Sequence, residues 1–131
     1  MINKPIDAVT AFHKAFGLGI QNSPTAELSE DKNMLRYKLM REENEEYLEA
    51  ANNKDLIEVA DALGDMLYIL CGTIIEHGMQ HKIEEVFDEI QRSNMSKLGE
   101  DGKPIYREDG KVLKGPNYFK PNIKAILENK G

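Results

Sequence analysis

Over the first 98 positions the apolar residues recur at helical spacing, and after them the rhythm stops. Ile6, Val9, Phe12 and Phe16 fall on one face and predict a helix over 5–16, with Pro5 in its first turn and Gly17 as its stop. Gly17, Gly19, Asn22 and Pro24 mark a loop over 17–29. A long second helix is predicted from Ser29 to Asn52, with Ser29 as N-cap and Glu30 and Asp31 complementing the helix dipole. A third runs from Asp55 to Glu76, capped by Asp55 and stopped by Gly78. Ile83, Val86, Phe87 and Ile90 place a fourth, amphipathic helix over 80–98, closed by Gly99. The segment GEDGKPIYREDGKVLKGPNYFKP is different in texture, with four glycines, three prolines and two Asp-Gly pairs. Asp109-Gly110 between IYRE and KVLK is a hairpin signal, and Pro121 opens a short last helix from Asn122 to Asn129. The expected fold is all-α: four helices in a bundle, then a Gly/Lys-rich hairpin or loop and the short helix. All of it is expected to lie in one domain, 1–131, the size of a single core.

Charges interrupt this pattern in two places. The run Val59 to Ile75 is apolar almost all round, which marks a buried helix, yet it carries Asp61 and Asp65, one turn apart. Glu58, Asp61 and Asp65 are spaced i, i+3 and i+7 and share a face. On the second helix, Leu35 and Leu39 are followed on their own face by Glu42/Glu43, then Glu46, then Ala50. Alone, EENEE reads as a solvated glutamate run, because Glu is a good helix former. Asp61 and Asp65 do not allow that reading, because carboxylates on an apolar helix repel each other and lose hydration unless a cation joins them. A salt bridge to Arg36 or Arg41 is the structural alternative. Two helices presenting carboxylates to each other make an all-oxygen site suited to Mg²⁺ or Mn²⁺, with room for two ions. A di-iron bundle requires Glu-x-x-His, which is absent, and His13, His77 and His81 read as surface residues.

Charge balance adds the other half of a polyphosphate site. Residues 1–90 hold 8 Lys/Arg and 18 Asp/Glu, and residues 91–131 hold 9 and 5. One part is suited to cations and the other to anions. A net charge of −6 without a long basic run argues against nucleic acid as partner. The two aspartates make a membrane span costly, and a lone Cys71 with no signal pattern points to the cytoplasm.

These residues resemble a known superfamily. Arg36-Tyr-Lys-Leu39-Met-Arg-Glu42-Glu43-Asn-Glu-Glu46 is similar to the EExxE helix of the all-α nucleoside triphosphate pyrophosphohydrolases, which include MazG, dimeric dUTPases and phosphoribosyl-ATP pyrophosphohydrolase. Ala60-Asp61-Ala-Leu-Gly-Asp65-Met-Leu-Tyr68 resembles their second metal helix. Ser93-Asn94-Met-Ser-Lys97 and Asp109-Gly110-Lys111-Val-Leu-Lys114-Gly115-Pro116 are similar to a MazG-like subgroup of bacteria and phages. The superfamily carries Glu-x-x-Asp on the second metal helix. With Asp65 as its Asp, the Glu position falls on Ala62, and Asp61 stands one residue earlier; Glu58 and Asp61 form the other Glu-x-x-Asp.

The resemblance implies an enzyme, dependent on Mg²⁺ (or Mn²⁺), that hydrolyses nucleoside triphosphates between the α- and β-phosphates to a monophosphate and pyrophosphate. Glu43, Glu46, Asp61 and Asp65 would hold the metal, with Glu58 a further candidate, and Glu42 would be another ligand or would orient or deprotonate the water; Glu42 and Glu43 are the catalytic pair. Lys97, Lys111 and Lys114 would meet the phosphates, Ser93 and Asn94 the sugar or base, and Tyr118 or Phe119 would stack on the base. A homodimer or homotetramer is implied, and it agrees with an apolar third helix that four modest helices cannot cover. Two alternatives accompany this expectation. One is phosphoribosyl-ATP pyrophosphohydrolase of histidine synthesis, against which the lysine-rich tail argues. The other is a catalytically silent helical dimer that binds nucleotide or a partner.

Overall fold

The computed structural model describes residues 2–128. Among them are five helices: α1 (Asn3–Phe16), α2 (Glu30–Asn52), α3 (Leu56–Glu76), α4 (Ile83–Met95) and α5 (Ile123–Glu128). No strand forms in this stretch, and a lone antiparallel bridge joins Tyr106 to Val112. The all-α class therefore holds. None of the helices is long and apolar enough to cross a membrane. The chain divides into two compact units, one ending at His81 and one beginning at Lys82.

In the first unit α2 and α1 each pack along α3. The ends of α2 and α3 follow from local chemistry. The Ser29 side chain accepts the Lys32 N–H at 3.1 Å, and Asp55 Oδ1 accepts the Glu58 N–H at 3.2 Å. Each cap is worth about 1 kcal/mol. α1 ends at Gly17, which is left-handed (φ 67°) and returns its N–H to the His13 carbonyl. Between α2 and α3 the reversal is tight. Asn53 N–H reaches Glu49 O at 3.0 Å, Asp55 N–H reaches Ala50 O at 3.0 Å, and Lys54 takes a φ of 57°, a region that costs a residue with a Cβ.

The core lies toward one end of α3. Ile6 and Val9 of α1 are buried with Cys71, Ile74 and Ile75 of α3, whereas only Ala50 and Ala62 are buried apolar residues near the α2–α3 turn. This corrects the expectation of a third helix buried all round. Leu56 and Ile57 are 80% and 79% exposed, and Leu63, Leu67 and Leu70 are exposed as well. Two neighbouring helices cover only part of a cylinder, so the apolar sequence of α3 exceeds what this unit encloses. Phe12 and Phe16 are likewise exposed; they stack at 4.4 Å, and Phe12 meets Tyr68 edge-on at 5.6 Å.

In the second unit α4 packs with α5. α4 is shorter than the predicted 80–98, and Gly99 follows a turn rather than the helix itself. Asn122 Oδ1 accepts the Ala125 N–H at 3.2 Å and so caps α5; the predicted end at Asn129 lies outside the described residues. Between the helices the chain reverses at Asp109-Gly110. Leu113 N–H bonds Ile105 O and Arg107 N–H bonds Lys111 O, each at 2.8 Å, and Asp109 Oδ1 accepts from the Lys111 N–H at 3.1 Å. Gly115 donates to the Lys97 carbonyl at 2.8 Å, an approach so close that a Cβ there would meet the Leu98 and Lys97 carbonyls.

Candidate functional site

The seam between α2 and α3 carries the chemistry of the first unit. On α2 the positions Lys32, Arg36, Leu39, Glu43, Glu46 and Ala50 recur at 4, 3, 4, 3 and 4, which keeps them on one side of a helix. On α3 the same holds for Glu58, Asp61, Asp65, Ile69, Gly72 and Glu76. The helices run antiparallel through the tight turn at 53–55. The acids of α2 therefore fall opposite Asp61 and Asp65, and Lys32 and Arg36 fall opposite the far end of α3.

Glu43 is the focus of the acidic end. Its Oε2 is shielded from solvent and has no hydrogen-bond partner. Loss of water, a side-chain hydrogen bond with Glu46 and the charges of Glu46, Asp65 and Asp61 together raise its carboxyl to about 7. Two carboxylates share a hydrogen bond only if one of them holds a proton, so the raised value and the contact have the same origin. Among the described residues no cation pairs with Asp61 or Asp65: Arg41 turns to Glu45 at 3.1 Å, and Arg36 turns away along the seam. Neither salt bridge offered as an alternative forms. Asp65 is half-buried and Asp61 exposed, so the aspartates border solvent rather than lying deep in a core. Glu42 and Glu58 are exposed. Glu58, Asp61 and Glu46 line an open cleft of about 430 Å³ together with Glu49, Ala50, Asn53 and Asp55.

This donor set fits a hard divalent cation. It is all oxygen, and it holds a shielded oxygen with nothing to bind and a carboxyl whose proton is retained by loss of water and by the acids beside it. Among the described residues no three such side chains already converge as a finished coordination shell. Glu43 is within electrostatic reach of Glu46 on its own helix and of Asp61 and Asp65 across the seam.

The other end of the seam was missed in the sequence. Glu76 is 3% exposed and His13 2%, so His13 is not the surface residue expected. His13 Nδ1 donates to the Gly19 carbonyl at 2.8 Å and lies 3.8 Å from Glu76 Oε1. Lys32 Nζ reaches Glu76 Oε2 at 3.1 Å. Arg36 donates from Nε to Thr73 Oγ1 at 3.0 Å and from Nη2 to the Ile69 carbonyl at 2.8 Å. Burial pulls its guanidinium below the ordinary value, and the Glu76 charge opposes that. The signal was present in the spacing: Glu76 continues the stripe of Asp61 and Asp65, and Arg36 stands seven residues before Glu43.

The residues expected to bind substrate lie in the second unit. Ser93 is 2% exposed, and its hydroxyl donates to the Phe119 carbonyl at 2.8 Å, so it ties α4 to the segment before α5. Asn94 is exposed one position further on. Lys97 is half-buried, with its carbonyl held by Gly115; Lys111 is exposed; Lys114 Nζ sits 4.8 Å from the centre of the Tyr118 ring. Phe119 is covered by the Arg92 guanidinium at 4.6 Å. These cation–π contacts leave both rings engaged within the unit.

A known family connects these residues to a chemistry. The chain aligns, at 27% identity and a TM-score of 0.48, with the crystal structure of a candidate NTP pyrophosphohydrolase from Exiguobacterium sp. 255-15, over 95% of this chain and 91% of that one. No curated protein matches it. The sequence model of the phosphoribosyl-ATP pyrophosphohydrolase family matches residues 9–94, a span that contains α2, α3 and all the acids of the seam. The chain thus belongs to the phosphoribosyl-ATP pyrophosphohydrolase family, within the all-α NTP pyrophosphohydrolase (MazG-like) superfamily, and is a hydrolase of pyrophosphate bonds.

Proposed function

We propose that the protein is a Mg²⁺- or Mn²⁺-dependent nucleoside triphosphate pyrophosphohydrolase of the house-cleaning or dUTP-directed kind. It releases a nucleoside monophosphate and pyrophosphate. The observation that carries this reading is the crowding of Glu46, Asp61 and Asp65 around Glu43, whose shielded oxygen has no partner. Glu43, Glu46, Asp61 and Asp65 hold the metal, and Glu58 borders the same cleft. A divalent ion held there would offset negative charge on the phosphate oxygens and make water more acidic. Glu42, exposed beside Glu43, orients the water and takes its proton as the oxygen attacks the α-phosphorus. The bond from that phosphorus to the bridging oxygen breaks, and pyrophosphate leaves with the electron pair. Lys97, Lys111 and Lys114 counter the phosphate charge, Asn94 and Tyr118 meet the nucleoside, and Ser93 holds that segment in place.

The family match favours a second reading, phosphoribosyl-ATP as the substrate, cleaved by the same chemistry. One panel decides between them: NTPs, dNTPs including dUTP, and phosphoribosyl-ATP, each with Mg²⁺ or Mn²⁺, with both products identified. Monophosphate and pyrophosphate from one or more nucleotides are expected. Orthophosphate as the product, or no metal-dependent turnover anywhere in the panel, would overturn the proposal. Turnover of phosphoribosyl-ATP alone assigns the second reading.

The proposal includes a cytoplasmic setting, one MazG-like pyrophosphohydrolase domain over 1–131 and assembly as a homodimer or homotetramer. Exposed Leu56, Leu63 and Leu67 support assembly, because their spacing of seven and four residues puts them on one face of α3, away from the stripe of Asp61 and Asp65. Sedimentation at micromolar concentration is expected to give two or four times the mass of a chain, and a single-chain mass removes assembly from the proposal.

A further inference from the structure

We propose that Arg36 is a positioning residue for the metal cradle: it fixes the register of α2 against α3 so that Glu43 and Glu46 meet Asp61 and Asp65. This inference rests on the reading of the seam as a metal site.

The acidic half of the seam has little of its own to hold it together. Its buried apolar residues are Ala50 and Ala62, both small, and its four carboxylates repel one another. Two features bracket it. At one end is the turn at 53–55, which joins the helices covalently. At the other is Arg36, two helical turns before Glu43, whose guanidinium crosses to α3 one turn beyond Asp65. A turn alone leaves a pair of helices free to rotate and slide, and a second fixed point removes that freedom.

Arg36 is well suited to be that point. It donates in two directions at once, to Thr73 Oγ1 and to the Ile69 carbonyl, and Thr73 Oγ1 itself donates to the same carbonyl at 3.0 Å. A planar guanidinium held by two bonds defines an orientation as well as a distance. The space for it exists because residue 72 has no side chain: a Cβ on Gly72 would lie 2.6 Å from Arg36 Nη2 and 3.0 Å from His13 Nε2. Behind it, Lys32 and Glu76 pair one turn further along the seam, which supports the same register. A lysine at position 36 would keep the charge but could not reproduce the fork.

The test measures Mn²⁺ affinity, by the loss of the free-ion EPR signal, alongside thermal stability. Arg36→Lys is expected to weaken Mn²⁺ binding by about ten- to a hundredfold, as removal of a group supporting metal ligands does, and to lower kcat more than it raises KM. Thr73→Val, which removes one of the two acceptors and is the variant to use if Arg36→Lys does not fold, should weaken binding severalfold. Val9→Ala, a core change in α1, serves as the control: at a comparable loss of Tm it should leave Mn²⁺ affinity as it was. If the unaltered protein and Glu43→Gln bind Mn²⁺ alike, the site reading fails and the inference with it. If Glu43→Gln loses the ion while Arg36→Lys and Thr73→Val keep it, or if Val9→Ala loses as much as Arg36→Lys, the positioning role alone is overturned.

Discussion

Asp65→Asn is expected to cut pyrophosphate release by about a thousandfold or more while leaving the helical content unchanged. Metal assistance to phosphoryl chemistry is worth several kcal/mol, and each 1.36 kcal/mol is about tenfold in rate. Asp65 faces the seam at its midpoint, half-buried, and contributes directly to the charge around Glu43. Asparagine keeps the shape and removes the charge, so the loss reports the site and not the fold. Glu43→Gln should lose activity to a similar degree, yet its metal-free Tm should rise by a few degrees, because it relieves a repulsion that the native seam tolerates. An inactive variant that is more stable than its parent is the mark of a residue kept for chemistry. Melting curves without metal, paired with initial rates with it, check both parts. A metal-free Tm that falls in Glu43→Gln would count against crowding as the state of the seam.

The second large effect depends on pH. In the metal-free seam Glu43 keeps its proton up to about 7, against an ordinary value of 4.5. Between those two values the folded chain binds more protons at this position than the unfolded chain does. Stability therefore falls as pH rises from 4.5 to 7, and the full cost is present above 7. The cation binds the deprotonated group, so its affinity should fall by about tenfold for each pH unit below 7 where this proton must be displaced. The metal-free Tm should thus drop between pH 5 and pH 7.5 by more in the native protein than in Glu43→Gln, and added Mg²⁺ should raise Tm far more at 7.5 than at 5. Mn²⁺ titrations at both pH values read the affinity directly. An affinity independent of pH over that range would show that no proton leaves on binding.

What could be read in the sequence depended on whether the signal was local. Ser29 and Asp55 cap their helices as their position before a periodic run suggests, since a cap bond spans only three residues. Glu43, Glu46, Asp61 and Asp65 were visible because a charge on an apolar stripe stands out within its own helix, and Glu43 lies within electrostatic reach of the other three. Burial was less legible. The composition of α3 suggests enclosure, but how much of it is covered depends on how many helices surround it, and Leu56 and Ile57 stand exposed beside two neighbours. His13 was misjudged for a related reason. Its burial comes from the loop at Gly19 and from Glu76, which is 63 positions away. The alternative of an Arg36 salt bridge to the aspartates stood open in the sequence, because either end of α3 lies within reach of a long side chain until the register is known.

The tight reversal at Asn53, Lys54 and Asp55 also bears on how the protein is made. Glu43 and Asp65 are 22 positions apart in the sequence, so the four proposed ligands belong to one helical hairpin whose contacts are local. Local contacts cost little loop entropy and form early in folding. On that basis the carboxylates are expected to meet before the α1 core around Val9 and Ile75 closes over the far end of α3. A divalent ion present during refolding would meet the hairpin at that stage and offset its repulsion as it forms. It would accelerate folding as well as stabilise the product, and Asp65→Asn would make the refolding rate indifferent to the ion.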